Sequence, residues 1–179
     1  MKTMKKNRCA KFVKVSKKKT SQSKYAMCVL HQNNNNVSGI IKLSQKDDTS
    51  PVIIDYDIKG LSDGKHGFHI HKYGDLSDNC VSACSHFNPY KKKHGSNDSD
   101  ERHIGDLGNI KSKKNICKGT IINDTLSLNL KKINCVIGRS FIVHDKEDDL
   151  GRGKDLESTL TGNAGKRLAC GVIGISSEF

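Results

Sequence analysis

The sequence predicts an all-β fold, a sandwich or barrel carrying two long loops, and three observations lead there. Apolar and polar residues alternate with period two: Ile54, Tyr56 and Ile58 against Asp55, Asp57 and Lys59, and Leu126, Leu128 and Leu130 against Ser127 and Asn129. Turn formers interrupt the runs at short intervals, at Asn33-Asn34-Asn35-Asn36, Ser62-Asp63-Gly64 and Asn123-Asp124. No window carries the apolar stripe of an amphipathic helix. Such alternation places one face of each strand on a core and the other in water.

Each strand follows from its own run. Ala26-Met27-Cys28-Val29-Leu30 predicts a strand over 25–30, and Val37, after the Asn run, opens one over 37–43. The alternating Ile54–Ile58 is the third. Gly67-Phe68-His69-Ile70-His71 gives 67–71, and the Leu and Ile residues of 107–111 and 116–123 give two more. Leu126–Leu130 follows, then 139–144 around Phe141-Ile142-Val143, and 169–175 around Val172-Ile173. Two stretches, 72–106 and 145–166, have no strand pattern. Loops of that length in a compact domain are usually functional.

A chain of 179 residues suits one domain with an appended segment. Only 34% of it is hydrophobic and 5% aromatic, without Trp, so the core is a modest one of Ile, Leu and Val. No apolar run approaches the ~18 residues of a membrane span, and no membrane association is expected. The formal charge of +12 is concentrated: residues 1–23 hold nine basic residues and no acidic one, leaving 22 basic against 19 acidic in the rest. Residues 1–23 therefore read as a disordered basic tail and 24–179 as the domain. Only Phe12 in the tail could stack on a base, so a nucleic-acid partner is not expected. Ala26–Leu30 is too short for the core of a secretory signal. The expected address is the cytoplasm, to which the tail could add nuclear targeting. Seven cysteines without zinc-finger spacing fit an intracellular protein with at most one or two structural bridges.

The histidines carry the chemistry. In His69-Ile70-His71 the two imidazoles lie two apart, so on a strand they share a face while Ile70 turns to the core. His144 closes the run Phe141-Ile142-Val143 and can approach that face from a neighbouring strand. The first long loop adds His86, His94, His103 and Asp106. Three imidazoles and a carboxylate suit a closed tetrahedral zinc site, and imidazole-only ligation suits copper or zinc. A lone His-x-His is usually incidental; seven candidate ligands on one β scaffold are not. His31 reads as exposed near a turn, and His66 as a structural hydrogen-bonding residue.

These segments, with Gly74-Asp75, His86-Phe87-Asn88-Pro89, Glu101–Asn109, Val143–Lys146, Asp148–Gly151 and Gly162–Gly171, resemble the copper/zinc superoxide dismutase family in order and spacing. The resemblance covers about 24–176. It implies a Greek-key β-sandwich or barrel of about eight antiparallel strands, forming an intracellular homodimer through residues near Ile137 and Val172–Ile175. It implies copper on His69, His71, His86 and His144, and zinc on His86, His94, His103 and Asp106, with a deprotonated His86 bridging. Asp148 would accept hydrogen bonds from His69 and His94, and such partners fix ring orientation. Arg167 would stand beside the copper to pair with the superoxide anion, and Thr161 on the opposite wall. In the implied cycle His86 takes up a proton with the first superoxide and returns it with the second.

Cys80 and Cys170 match the family's disulfide, and Cys28 and Cys135 its unbridged thiols; Cys9, Cys84 and Cys117 match no family role. Leu156 and Leu160 stand where a glutamate and a lysine are common. No proline lies in Gly165–Cys170, which implies that a copper chaperone is a possible partner without being strictly required. The alternative is a relative that keeps the fold as an inactive decoy or a copper chaperone. Those usually lack a copper ligand or the arginine, and here all are present. Since every assigned residue lies at or beyond His69, deleting residues 1–23 should leave the specific activity of the metal-loaded protein within about twofold, well inside the tenfold that 1.4 kcal/mol represents. A dismutation assay on the truncated chain checks this.

Overall fold

The computed structural model describes residues 23–32 and 36–179. The tail through residue 22, with Cys9, three of the four asparagines of the run and the side chain of His31 lie outside the described residues. Among the described residues nine strands follow in order: β1 (Lys24–Gln32), β2 (Ser38–Gln45), β3 (Val52–Lys59), β4 (Gly64–His71), β5 (Asp106–Ser112), β6 (Ile116–Asn123), β7 (Ser140–His144), β8 (Arg167–Val172) and β9 (Gly174–Ile175). One helix, α1 (Leu156–Thr161), lies between β7 and β8.

All strand pairs are antiparallel. The sheet order is β5-β4-β7-β8-β1-β2-β3-β6, with β9 on β1. Neighbours distant in sequence, β3 with β6 and β4 with β7, give the Greek-key connection. The two ends of that order, β5 and β6, are joined by a tight turn in which Lys114 and Asn115 both have positive φ. The path thus returns on itself as a flattened barrel.

The period-two pattern puts Ile41, Leu43, Val52, Ile54 and Ile58 inside, beside Phe68, Ile70, Phe141 and Val143. Phe68 and Phe141 stack with ring centroids 4.9 Å apart. β4 and β7 differ from the outer strands because both of their faces are covered. Odd-even alternation on β7 sends Phe141 and Val143 to the core, while Ile142 packs with Cys80, Ala83 and Cys170 beneath the first long loop.

Three elements differ from the sequence expectation. Residues 126–130 are not a strand: Asn123 Oδ1 accepts from the backbone of Thr125 and Leu126, and Gln45 Oε1 from Leu128 N, so side chains take the place of a ladder. The apolar alternation there instead buries Leu126 and Leu128 and leaves Leu130 exposed. The run 169–175 is two strands, β8 paired with β7 and β1 and β9 paired with β1, divided at the buried Ile173. The helix α1 escaped notice because it has six residues and buries only Ser158; its signals were the cap Asp155 and the closing Gly162.

Removing one ring of the central stack leaves a cavity in the inner layer. Phe141→Ala should cost about 3–5 kcal/mol of stability, measured by urea unfolding of the metal-free protein.

Candidate metal centre

β4 and β7 present His69, His71 and His144 on one face, with Ile70 fully buried behind them. The register shifts between Gly67 and His69 where β4 meets β5, and between Val143 and His144 where β7 meets β8. Such irregularities re-aim side chains at the edge of a ladder. The first long loop is laced onto the end of β4: Phe87 N donates to Ile70 O (2.8 Å), Ile70 N to Gly105 O (2.9 Å) and Lys72 N to Ser85 O (2.8 Å). His86 is thereby set opposite His71. Gly105 permits the approach, because a Cβ there would run into Ile70 O. His94 joins through its backbone N, which donates to Thr159 O of α1 (2.8 Å).

The ring orientations follow from their partners. A carbonyl or carboxylate oxygen only accepts, so a ring nitrogen facing one donates, and the opposite nitrogen of the neutral ring carries a lone pair. His71 Nδ1 donates to Cys84 O (2.7 Å) and His144 Nδ1 to Gly165 O (3.3 Å). His69 Nε2 and His94 Nε2 donate to Asp148 Oδ2 and Oδ1, each at 2.8 Å. The opposite atoms, His71 Nε2, His144 Nε2 and His69 Nδ1, are buried without a hydrogen-bond partner, as is His86 Nε2. These four residues form one donor set, with ligand atoms within 4.8 Å of one another.

The second set gathers around Asp106 Oδ1, with His86 Nδ1 at 2.8 Å, His94 Nδ1 at 3.0 Å and His103 Nδ1 at 3.1 Å. Four donors at zinc distances of 2.0–2.1 Å lie ~3.3 Å apart at tetrahedral corners. The spacings match, and His86 gives one nitrogen to each set. Buried lone pairs that converge without a donor are costly unless a cation sits among them. The residues present therefore fit two metal ions, copper and zinc.

Burial, reinforced by neighbouring imidazoles, holds His69 and His71 well below the ordinary histidine range. Burial likewise takes His144 down to about 3 and lowers His86. The first set is therefore neutral at pH 7, the form that ligates metal. Burial opposes charge on His94 too, but hydrogen bonds to Asp106 and Asp148 outweigh it and lift the ring to about 9. For Asp106 burial is outweighed by the bonds from His103, His86 and His94, which hold its carboxyl far below the usual range.

Asp148 is 1% exposed and fixed from β5, where Asn109 Nδ2 donates to its carbonyl and Asn109 Oδ1 accepts from its N, both at 2.8 Å. Gly162, at φ 68°, ends α1 against this carboxylate, and any Cβ there would collide with Asp148 and with His94 Nε2.

A cleft of about 370 Å³ opens over the first set, lined by His71, His86 and His144 below and by Lys146, Thr161 and Arg167 around it. Arg167 is held by carbonyls of the first loop: Nη1 donates to Cys80 O (2.6 Å) and Val81 O (3.2 Å), and Nη2 to Cys84 O (2.6 Å). Thr161 Oγ1 donates to Glu157 Oε1 (2.6 Å). The Cys80–Cys170 disulfide ties that loop to β8. Cys28 and Cys135 are buried and unbridged, and burial pushes the Cys28 thiol up to about 12. Cys117 is buried as well, whereas Cys84 is exposed. Leu156 and Leu160 face solvent, 74% and 50% exposed. The ring nitrogens of His66 lie 2.9 Å from His144 O and 3.0 Å from Ser62 O, the structural place expected.

The seven candidate ligands, with Asp148, Arg167 and Thr161, thus meet around one centre. The sequence reading missed Asn109 and the carbonyls of Cys84 and Gly165. The carbonyls leave no trace in side-chain identity, and Asn109 stood unremarked in a matching segment.

A Greek-key barrel bearing two buried donor sets that share one imidazole defines a dinuclear metalloprotein with an open cleft over one metal. Comparison with known proteins gives the family: the copper/zinc superoxide dismutase (SODC) model matches residues 37–173, and the chain belongs to that family. It is 54% identical to superoxide dismutase [Cu-Zn] 5 of Dictyostelium discoideum over 152 residues, covering 84% of this chain and 97% of the relative. Against superoxide dismutase [Cu-Zn] A of Xenopus laevis it is 48% identical over 83% of this chain and 96% of the relative. Against the Saccharomyces cerevisiae enzyme it is 46% identical over 79% and 92%.

Asp148→Ala should release two rings at once, one from each set. Metal affinity should fall ~10–100-fold, read by competition with a chelator.

Proposed function

We propose that the protein dismutates superoxide, two superoxide anions and two protons giving oxygen and hydrogen peroxide. The observation that carries the reading is His86, one ring with a nitrogen in each of two buried donor sets, at the floor of a cleft walled by Arg167. We assign His69, His71, His86 and His144 to copper, and His86, His94, His103 and Asp106 to zinc. Bound there, copper supplies one-electron redox chemistry and zinc a fixed positive charge.

The chain's own residues do the rest. Arg167, pinned by three carbonyls, offers a fixed cation to a small anion entering the cleft, and Thr161 narrows the entrance from α1. His86 Nε2 holds a proton between the two half-reactions and returns it to the departing peroxide. Asp148 keeps His69 and His94 turned toward their metals throughout. The complete donor set and Arg167 favour an active enzyme over a decoy or a copper chaperone. Metal content and dismutase activity of the purified protein, with and without added copper, test the reading; full metal loading without turnover would overturn it.

The finer assignments are also ours. The domain spans 24–179, and the protein works in the cytoplasm. Two copies pair through residues near Ile137 and Val172–Ile175, where Ile137 and the exposed Ile175 line a cavity of about 760 Å³. A copper chaperone assists loading without being obligatory.

His86→Ala should lose most activity and disturb both metals, whereas His103→Ala should chiefly lose zinc and stability and keep some copper-dependent turnover. Metal analysis beside activity checks the contrast, and equal loss of both metals from both variants would contradict the assignment.

Steering by charge gives a second expectation. Activity should fall as salt rises, since screening acts over about 8 Å at physiological ionic strength. Arg167→Ala should cost tenfold or more, about 1.4 kcal/mol. Leu160→Lys should raise the low-salt rate by no more than about twofold, a gain that shrinks at high salt. Initial rates across a salt series measure all three.

A further inference from the structure

The Cys84 thiol has no part in the site, yet its position is unusual. It is an exposed thiol four residues after Cys80, on a left-handed backbone (φ 66°) that side chains other than glycine seldom adopt. Two successive turns, Val81 N to Asp78 O (3.0 Å) and Cys84 N to Val81 O (3.1 Å), coil the segment that carries both cysteines. The bridge itself is covered: Cys80 is 0% and Cys170 4% exposed. The covering segment is held down by the contacts that orient the site. Cys84 O accepts from both His71 Nδ1 (2.7 Å) and Arg167 Nη2 (2.6 Å), and Cys80 O from Arg167 Nη1 (2.6 Å). Tyr73 N and Lys72 N hold Ala83 O and Ser85 O. Lifting 80–84 would uncover the bridge and withdraw those carbonyls in one movement.

We propose that Cys84 is the internal nucleophile of a disulfide switch that moves the bridge from Cys80–Cys170 to Cys80–Cys84. The Cys84 thiol gives its proton to solvent and its sulfur bonds to Cys80 Sγ. The Cys80–Cys170 bond breaks, and Cys170 Sγ leaves with the electron pair and takes up a proton. One disulfide and one thiol are present before and after, so no oxidant or reductant is needed. Attack falls on Cys80 because the two residues share the lifting segment, whereas Cys170 stays in β8. The product no longer ties the loop to the barrel, and His71 and Arg167 lose their shared carbonyl. The accompanying loss of turnover rests on the dismutase reading; the exchange itself does not.

The test reads sulfur rather than activity. The full-length oxidised protein, metal-loaded and metal-stripped, is incubated without reductant, alkylated with N-ethylmaleimide at intervals, and digested for disulfide mapping. The expected result is a growing Cys80–Cys84 linked peptide with alkylated Cys170, forming several-fold faster after metal removal, when His71 no longer has a metal to hold it. Cys84→Ser and Cys84→Gly, the latter suited to the left-handed backbone, should both keep Cys170 bridged and unlabelled. Cys84 fully alkylated at every time with Cys170 never labelled would overturn the proposal. So would Cys170 labelled equally in both variants, or a Cys84–Cys170 linkage in place of Cys80–Cys84. If the exchange occurs and the protein has no dismutase activity, the switch stands and only its consequence for turnover falls.

Discussion

His69 and His94 give their Nε2 protons to the two oxygens of one buried carboxylate, Asp148, and this shared acceptance decides which nitrogen each ring turns inward. Without it, each ring could present either nitrogen, and the lone pairs that now converge would point at random. The carboxylate is in turn immobilised by a reciprocal pair of hydrogen bonds with Asn109 on β5, so the orientation of both rings is referred to the barrel. The same logic recurs at His71 and His144, whose acceptors are backbone carbonyls. The centre is thus defined from behind, by acceptors that hold protons away from it. Its front is left bare, and the gathering of unpartnered nitrogens is tolerable because a cation belongs there.

The barrel and the loops divide the work. Barrel strands supply His69, His71 and His144, and their register irregularities fall beside His69 and His144. The first long loop supplies His86, His94 and His103, and meets β5 at Asp106. Because His86 contributes to both sets, the loop cannot shift relative to β4 without disturbing both. The hydrogen bonds from Ile70, Lys72 and Phe87 that run alongside the end of β4 make the loop, in effect, an extension of the sheet.

Much of this was legible in the sequence, for definite reasons. The spacing of His69 and His71 is a property of the pleat, and it held once the strand formed. The alternation over 54–58 was read correctly because one face is buried and the other wet. The same pattern over 126–130 misled: side-chain acceptors from Asn123 and Gln45, the latter remote in sequence, satisfied the backbone and removed the need for a ladder. The short helix was hidden because it packs by one serine and its caps rather than by an apolar stripe. The carbonyls of Cys84 and Gly165 could not be read at all, since every residue has one and only the fold decides where it points.

Gly162 closes α1 at the point where any larger residue would strike Asp148 and His94, and His94 is itself hydrogen-bonded to that helix through Thr159. The two long loops are therefore interlocked, although the chain between them passes through β5, β6 and β7. Lengthening or shortening the second loop near residues 148–162 would require a matched adjustment around residue 94, and the reverse. The turn joining β5 to β6 is bonded elsewhere, to the connection between β3 and β4: Lys114 N donates to Asp63 Oδ1 (2.6 Å) and Gly60 N to Asn115 O (3.1 Å). Changes of length in descendants of this chain should therefore appear at the two long loops only as coordinated pairs.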